Sequence, residues 1–161
     1  MTTNSGTNSI MVLGLGNILM GDEGFGVHIA RRLKQVGLPA SVRIEEGGVG
    51  GFDLLGLIAD VGKLLVIDVM MTDIQPGELR LIESDQMPGE PGKQIISFHQ
   101  IGVLELMQLA ELINCCPEVT FLVTRPEKMD WSLELSPALQ SAVDKAVEEV
   151  KNWCAKIAVT T

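Results

Sequence analysis

Apolar residues in this chain form short runs that alternate with longer segments of helical periodicity. Four of the runs have the length and pattern of β-strands: Ile10–Leu15, Ser41–Glu46, Lys63–Met71 and Val119–Val123. The third run is apolar at nearly every position, which is typical of a central strand buried on both faces. A weaker alternation at Glu78–Glu83 predicts an edge strand.

Helical patterns lie between these strands. Apolar residues three and four apart predict a helix that is capped by Asp22 and ends at about Val36. Phe52–Asp60 predicts a short helix, and Ile101–Ile113 predicts one whose polar residues form only a narrow stripe. Ser136-Pro137 is typical of a cap followed by proline at the first position of a helix, here a long final one.

Strands that alternate with helices predict the fold class. We expect a single α/β domain over residues 1–161, with a twisted, mostly parallel sheet between helices on both faces. The polar segment Met1–Ser9 is predicted to be flexible, and it lacks the charged leader and apolar block of a secretory signal. The three cysteines, Cys115, Cys116 and Cys154, do not make a disulfide framework, which favours small buried side chains and a cytoplasmic location.

The charge of the chain narrows the range of partners. Its formal net charge is −9, and its few basic residues are scattered, so a nucleic-acid partner is not expected. No segment approaches the roughly 18 consecutive apolar residues of a membrane span, so a membrane partner is not expected either.

The first strand is followed by a glycine motif that begins like a dinucleotide-binding fingerprint. Gly14 and Gly16 fit that fingerprint, but Leu19 stands where its third glycine belongs. Asp22 and Glu23 then place two carboxylates at the helix start, where a pyrophosphate would otherwise bind. They would repel it, so we expect no nucleotide cofactor.

Acidic or imidazole side chains stand where three apolar runs stop. Asp68 interrupts the buried third strand, where a carboxylate is unfavourable unless it has a partner. Glu23 follows the first strand, and His99 follows a short apolar run at 95–98. Because the carboxyl ends of parallel strands lie at one edge of a sheet, we expect these three residues to converge there.

Two carboxylates and one imidazole suit a divalent transition ion, for which nickel, copper and zinc have high intrinsic affinities. The three residues come from separate segments, so no short-spacing metal motif supports the set. Each also has a structural interpretation: Glu23 as a helix-start acid stabilised by the helix dipole, Asp68 as an acceptor for loop N–H groups, and His99 as a capping residue. The other histidine, His28, is assigned to a solvated helix face, and no nucleophile elbow is visible.

A glycine cluster follows the second strand. It comprises Gly47, Gly48, Gly50 and Gly51. The cluster fits a tight turn, or it lets another polypeptide approach the backbone closely. We favour the second interpretation because four glycines in five residues exceed what a turn needs.

With these residues in view, the chain resembles the hydrogenase maturation proteases, the endopeptidases that remove the C-terminal tail from the large subunit of nickel-iron hydrogenases. The resemblance covers nearly the whole chain in the expected order. It is carried by Leu13–Val27, Glu46–Gly51, the Asp68 strand, Ser97–Gly102, Arg125-Pro126-Glu127 and Leu135-Ser136-Pro137. One departure is that the family's Asp-Gly-Gly-Thr motif is Glu46-Gly47-Gly48-Val49 here.

The resemblance implies a metal-dependent endopeptidase whose metal-contacting residues are Glu23, Asp68 and His99. It also implies that nickel is supplied by the hydrogenase large-subunit precursor, although other divalent ions can occupy such a site in vitro. The glycine cluster would then accept the backbone of the precursor's tail. Two alternatives stay open: an autonomous metallopeptidase with its own metal, and a nickel-sensing chaperone that cuts nothing.

Overall fold

The computed structural model describes residues 9–49, 53–86, 107–108, 110–112, 114 and 117–160. Within these ranges, the strands are β1 (Ile10–Leu15), β2 (Val42–Gly48), β3 (Lys63–Val69), β4 (Leu79–Glu83) and β5 (Glu118–Thr124). They form one sheet in the order β2-β1-β3-β5-β4. β1, β2, β3 and β5 pair in parallel, and β4 is antiparallel to β5 at the sheet edge. The predicted parallel sheet, its buried central strand and its edge strand are confirmed.

The helices are α1 (Phe25–Val36), α2 (Asp53–Ile58) and α3 (Pro137–Thr160), with 3-10 turns at Gly21–Gly24 and Ser84–Gln86. Helical residues also occur at 107–108 and 110–112, inside the predicted Ile101–Ile113 helix, of which the remainder lies outside the described residues. Among the helices of the described ranges, none combines the length and apolar content that crossing a bilayer requires.

The helices cover both faces of the sheet, as predicted. Val12 and Ile67 point to one face, where they pack with side chains of α1 and α3. Leu13 and Val66, one residue away on the same strands, point to the other face and pack with α2 and Met107. Alternation along the strands therefore supplies two apolar layers from one set of buried strands.

Capping residues predict the starts of α1 and α3, and only the prediction for α3 is confirmed. Ser136 precedes α3, its hydroxyl accepts a 3.5 Å hydrogen bond from the Leu139 N–H, and its carbonyl accepts one of 2.8 Å from Gln140. The predicted Asp22 cap is wrong. The residue preceding α1 is Gly24, which makes no side-chain capping bond, and the Asp22 carboxylate binds a distant loop instead.

Strand β2 extends further than its sequence indicates. A break is predicted from Gly47 onwards, but the strand runs through Gly48, which pairs with Leu15 after a shift in register. A Cβ built at Gly47 would lie 2.6 Å from a methyl carbon of Leu15 and 3.2 Å from one of Leu54. The glycine therefore allows side chains of β1 and α2 to pack over the strand, which explains its place within the sheet.

Helix α1 lies so close to the sheet that backbone touches backbone. A Cβ built at Gly26 would lie 2.1 Å from the Ile67 carbonyl oxygen and 2.4 Å from that of Leu15. On the strand side, a Cβ built at Gly14 would lie 2.1 Å from the Gly26 carbonyl oxygen. Only glycine fits at such a contact, and it fixes the start of α1 against the carboxyl ends of β1 and β3.

We predict that Gly26→Ala destabilises the protein by about 3 kcal/mol or more, because the new methyl group must displace backbone on two strands. The gain of about 1 kcal/mol in helix propensity is too small to offset this strain. The measurement is urea-induced unfolding.

The matched control is Gly56→Ala in α2, where a new Cβ meets nothing within 4 Å. That change should stabilise the protein by about 0.5–1 kcal/mol. Equal effects of the two substitutions would contradict the backbone contact.

Candidate functional site

The sheet brings several predicted site residues to one edge. Strands β2, β1 and β3 are neighbours and run in parallel, so their carboxyl ends lie side by side. Gly48 is the last residue of β2, and Asp68 is the penultimate residue of β3. Glu23 lies in the 3-10 turn between β1 and α1. Ligands of open α/β sheets bind outside this edge.

The backbone around Glu23 is held closely against the strand ends. A Cβ built at Gly16 would lie 1.8 Å from the Glu23 carbonyl oxygen, and Gly16 has a φ of +129°. The Gly16 N–H donates a 2.7 Å hydrogen bond to the Gly48 carbonyl. The turn that carries Glu23 is therefore packed on the end of β1 and next to the end of β2.

Asp68 is a fully buried carboxylate. It alternates with Leu64 and Val66, which places it on the face of the sheet that α2 covers. Its Oδ1 accepts a 2.8 Å hydrogen bond from the N–H of Val69, the next residue of β3, so this donor belongs to the strand and not to a loop. Glu23 is partly buried. The rim of the sheet thus holds one acid inside the protein and one at its surface.

The third predicted ligand, His99, lies outside the described residues, as do Gly50 and Gly51. Among the residues that are described, no three His, Cys, Asp or Glu side chains cluster closely enough to hold a metal. Met107, eight positions after His99 in the sequence, packs on the same face of the sheet that Asp68 occupies by alternation. The joint action of Glu23, Asp68 and His99 on one ion stays a prediction.

Glu46, the departure from the family's glycine motif, has two cationic partners on α1. Its carboxylate oxygens lie 2.7 Å from Arg31 Nε and 3.2 Å from Lys34 Nζ. Partial burial alone would raise the pKa of Glu46, but the hydrogen bonds and charges of the two cations outweigh it and lower that pKa. The longer acid therefore ties β2 to α1 beside the candidate site.

Asp22, beside Glu23 at the edge of the candidate site, has a role in loop anchoring that the sequence did not indicate. It is fully buried, and its carboxylate accepts three backbone hydrogen bonds from a segment more than 100 positions away. Oδ2 accepts from Glu127 and Lys128, both at 2.8 Å, and Oδ1 accepts from Ser136 at 2.7 Å. Asp22 thereby fixes the loop after β5 to the turn that carries Glu23.

His28 and Cys154, two further side chains considered in the sequence, lie in environments that fit structural roles. His28 is partly buried, not solvated as predicted, and desolvation followed by the charge of Arg31 lowers its pKa. Cys154 is buried with a free thiol, and burial raises its pKa to about 11. The interpretation of Cys154 as a small buried side chain is confirmed, whereas Cys115 and Cys116 lie outside the described residues.

Comparison with known proteins identifies related chains. Residues 27–153 match the family model HycI, described as hydrogenase maturation protease. The chain is 33% identical over 160 residues to the hydrogenase expression/formation protein HupD of Bradyrhizobium diazoefficiens, covering 95% of this chain and 83% of that protein. It is 31% identical over 144 residues to the hydrogenase 2 maturation protease of Escherichia coli, covering 88% and 87% respectively.

The fold has a close counterpart among solved structures. The hydrogenase maturating endopeptidase HybD of Escherichia coli superposes with a TM-score of 0.79 at 31% identity, covering 88% of this chain and 89% of that one. The five-stranded, mostly parallel sheet with its helices is therefore the architecture of this type of protease.

We predict that Asp22→Asn destabilises the protein by about 3 kcal/mol, because an amide N–H₂ group would replace one oxygen that now faces backbone donors. The measurement is urea unfolding at neutral pH. The control is Asp130→Asn, whose side chain is 77% exposed and which should change stability by less than about 0.5 kcal/mol. A loss for Asp22→Asn no larger than for the control would show that these bonds do not hold the loop.

We predict that Glu46→Gln lowers stability by about 0.5–1 kcal/mol at pH 7 in low salt. Since the folded-state pKa of Glu46 lies below its unfolded value, its contribution is present above the unfolded pKa. It is lost as the pH falls through the folded pKa, so the two proteins should become equally stable in acid. Urea unfolding across this range provides the check, and a difference that persists at low pH would contradict the assigned ion pairs.

Proposed function

Because this chain belongs to the hydrogenase maturation protease family, and is thus a hydrolase acting on peptide bonds, we propose that it removes the C-terminal extension of a nickel-loaded hydrogenase large-subunit precursor. In this proposal, the nickel arrives with the substrate. Glu23, Asp68 and His99 recognise it by completing its coordination.

The observation that carries this proposal is the complete burial of Asp68 at the carboxyl end of the central strand. Burying a carboxylate is unfavourable by several kcal/mol unless a hydrogen bond or an opposite charge compensates. Its Oδ1 accepts a hydrogen bond from the Val69 N–H. A cation delivered to the rim would add an opposite charge where the turn bearing Glu23 meets β3.

The donor set suits the proposed ion. Carboxylate oxygens and a neutral imidazole are acceptable ligands for nickel, which ranks high in the affinity order of divalent ions. A substrate-borne nickel ion held there polarises a neighbouring peptide carbonyl towards attack by water. The protein contributes by positioning the substrate, because its two carboxylates and one imidazole place the scissile bond beside the ion. Such positioning supplies much of the rate gain.

Gly48 supports the proposed passage of the precursor's tail. It has a φ of +54°, and a Cβ built on it would meet nothing within 4 Å. Val49 beyond it is 62% exposed. The outer side of this turn is therefore open to another backbone, whereas Gly47 is occupied by packing from Leu15 and Leu54. We propose that Gly48, with Gly50 and Gly51, accepts the tail.

We place this reaction in the cytoplasm. The free, buried thiol of Cys154 and a cysteine content without a disulfide framework support a reducing compartment. The precursor is the proposed macromolecular partner, and nickel is part of that substrate.

The decisive experiment incubates the protein with nickel-loaded and nickel-free precursor and measures precursor mass over time. We expect the mass to fall by one C-terminal fragment in the nickel-loaded sample alone. Equal cleavage of both samples would indicate an autonomous metallopeptidase. Binding without any loss of mass would indicate a chaperone, and either result would overturn the proposal.

Variants test the three residues in the same assay. His99→Ala, Glu23→Gln and Asp68→Asn should each lower the processing rate by at least a hundredfold, because each removes a contact to the substrate's ion. His28→Ala removes the chain's other imidazole and should process normally. Circular dichroism and urea unfolding separate a lost contact from a lost fold. Normal processing by His99→Ala would refute its assignment as a ligand.

A further inference from the structure

Three large apolar side chains stand exposed beside the turn that carries Glu23. Leu19 is 49% exposed, Trp131 79% and Leu133 65%. We call these three residues the Trp131 surface. Exposed single apolar residues are ordinary, but a tryptophan with two leucines on adjoining backbone segments is typical of a contact site, where tryptophan contributes strongly to binding.

The Trp131 surface is rigidly supported. The Ser132 N–H donates a 2.9 Å hydrogen bond to the Leu19 carbonyl, and the Gly21 N–H donates one of 2.8 Å to the Ser132 carbonyl. The buried Asp22 carboxylate binds the same loop at both ends, through Lys128 and Ser136. The side chains are thus presented on a fixed backbone, which lowers the ordering entropy that binding would otherwise lose.

A groove of about 340 Å³ lies next to this surface. Trp131 forms part of its wall, and Gly21, the first residue of the turn that carries Glu23, forms another part. Asp130, Glu134 and Lys128 also line it, and because Lys128 Nζ lies 4.0 Å from Asp130 Oδ2, the lining keeps a net negative charge of one unit. The groove therefore has an apolar wall and an acidic rim, and it adjoins the candidate site.

We propose that the Trp131 surface and this groove dock the precursor protein through a segment that has an apolar side chain flanked by basic ones. The proposal rests on the proposed function for the identity of the partner. Gly21 belongs both to the turn that carries Glu23 and to the groove wall, so a polypeptide bound in the groove would lie beside that turn. Docking would thus hold the precursor in place while its tail enters the rim.

Charge favours this partner over a second copy of the chain. The protein has a net charge of −9, and two copies meeting through this surface would bring their acidic rims together. Like charges brought together oppose association, whereas basic residues on a partner would be attracted to the net negative charge of the groove. A partner with basic side chains beside an apolar anchor is complementary on both counts.

The test measures the Kd of the protein for nickel-free precursor and, in parallel, the cleavage of nickel-loaded precursor. The double variant Trp131→Ala/Leu133→Ala should weaken binding at least tenfold and raise KM by a similar factor, with kcat within twofold of wild type. The control is Val36→Ala, which changes a 42% exposed residue at the C-terminal end of α1. This end lies about 18 Å along the helix from the end next to the turn that carries Glu23, so Kd should be unchanged.

The outcomes separate docking from catalysis. An unchanged Kd for the double variant overturns the docking proposal, whether or not the wild type cuts. Weaker binding of the double variant, together with wild-type protein that binds but does not cut, supports docking and refutes the proposed function. Sedimentation equilibrium provides a second check. A wild-type dimer that the double variant dissociates, with Kd for the precursor unchanged, would assign the surface to a second copy.

Discussion

The contact between the start of α1 and the ends of β1 and β3 is the constraint on which the rest of the site depends. Gly14, Gly16 and Gly26 let backbone meet backbone there, at distances that any side chain would prevent. Because backbone is stiff and these contacts leave no space, the turn carrying Glu23 has a fixed position relative to the strand carrying Asp68. The three glycines therefore determine where Glu23 lies relative to Asp68, in addition to allowing close packing.

Two fully buried carboxylates lie near this contact, and their environments differ. Asp22 accepts three backbone N–H bonds, so its charge is balanced within the protein, and it joins the turn to the loop after β5. Asp68 lies at the strand end, where substrate would approach. One acid thus builds the framework, and the other lies at the strand end that the proposed function assigns to the substrate.

The periodicity of the sequence was sufficient to predict the sheet and its layers. The dense apolar run of β3 and the spaced apolar face of α3 require burial wherever they occur, so local pattern determines their place. Asp22 and Glu46 could not be assigned in this way. The hydrogen-bond partners of Asp22 lie 105 to 114 positions away in the sequence, and those of Glu46 lie 12 to 15 positions away. Which residues become partners therefore depends on how the elements pack in the folded chain.

The glycine residues show the same limit. Sequence identified the cluster after β2 as unusual, but it could not distinguish Gly47, which is needed for internal packing, from Gly48, which faces open space. Glu23 and Asp68 could be selected as candidates because acids at strand ends stand out against apolar neighbours. Their joint action with His99 depends on geometry that strand order alone does not specify.

The most direct measurement of the central claim is nickel X-ray absorption on the precursor, alone and after mixing with this protein, freeze-quenched before the tail is released. The proposed recognition requires the nickel shell to gain oxygen and nitrogen neighbours on mixing, and to gain fewer with Glu23→Gln or Asp68→Asn. A nickel shell that is identical with and without the protein, in a sample that goes on to be cleaved, would contradict it.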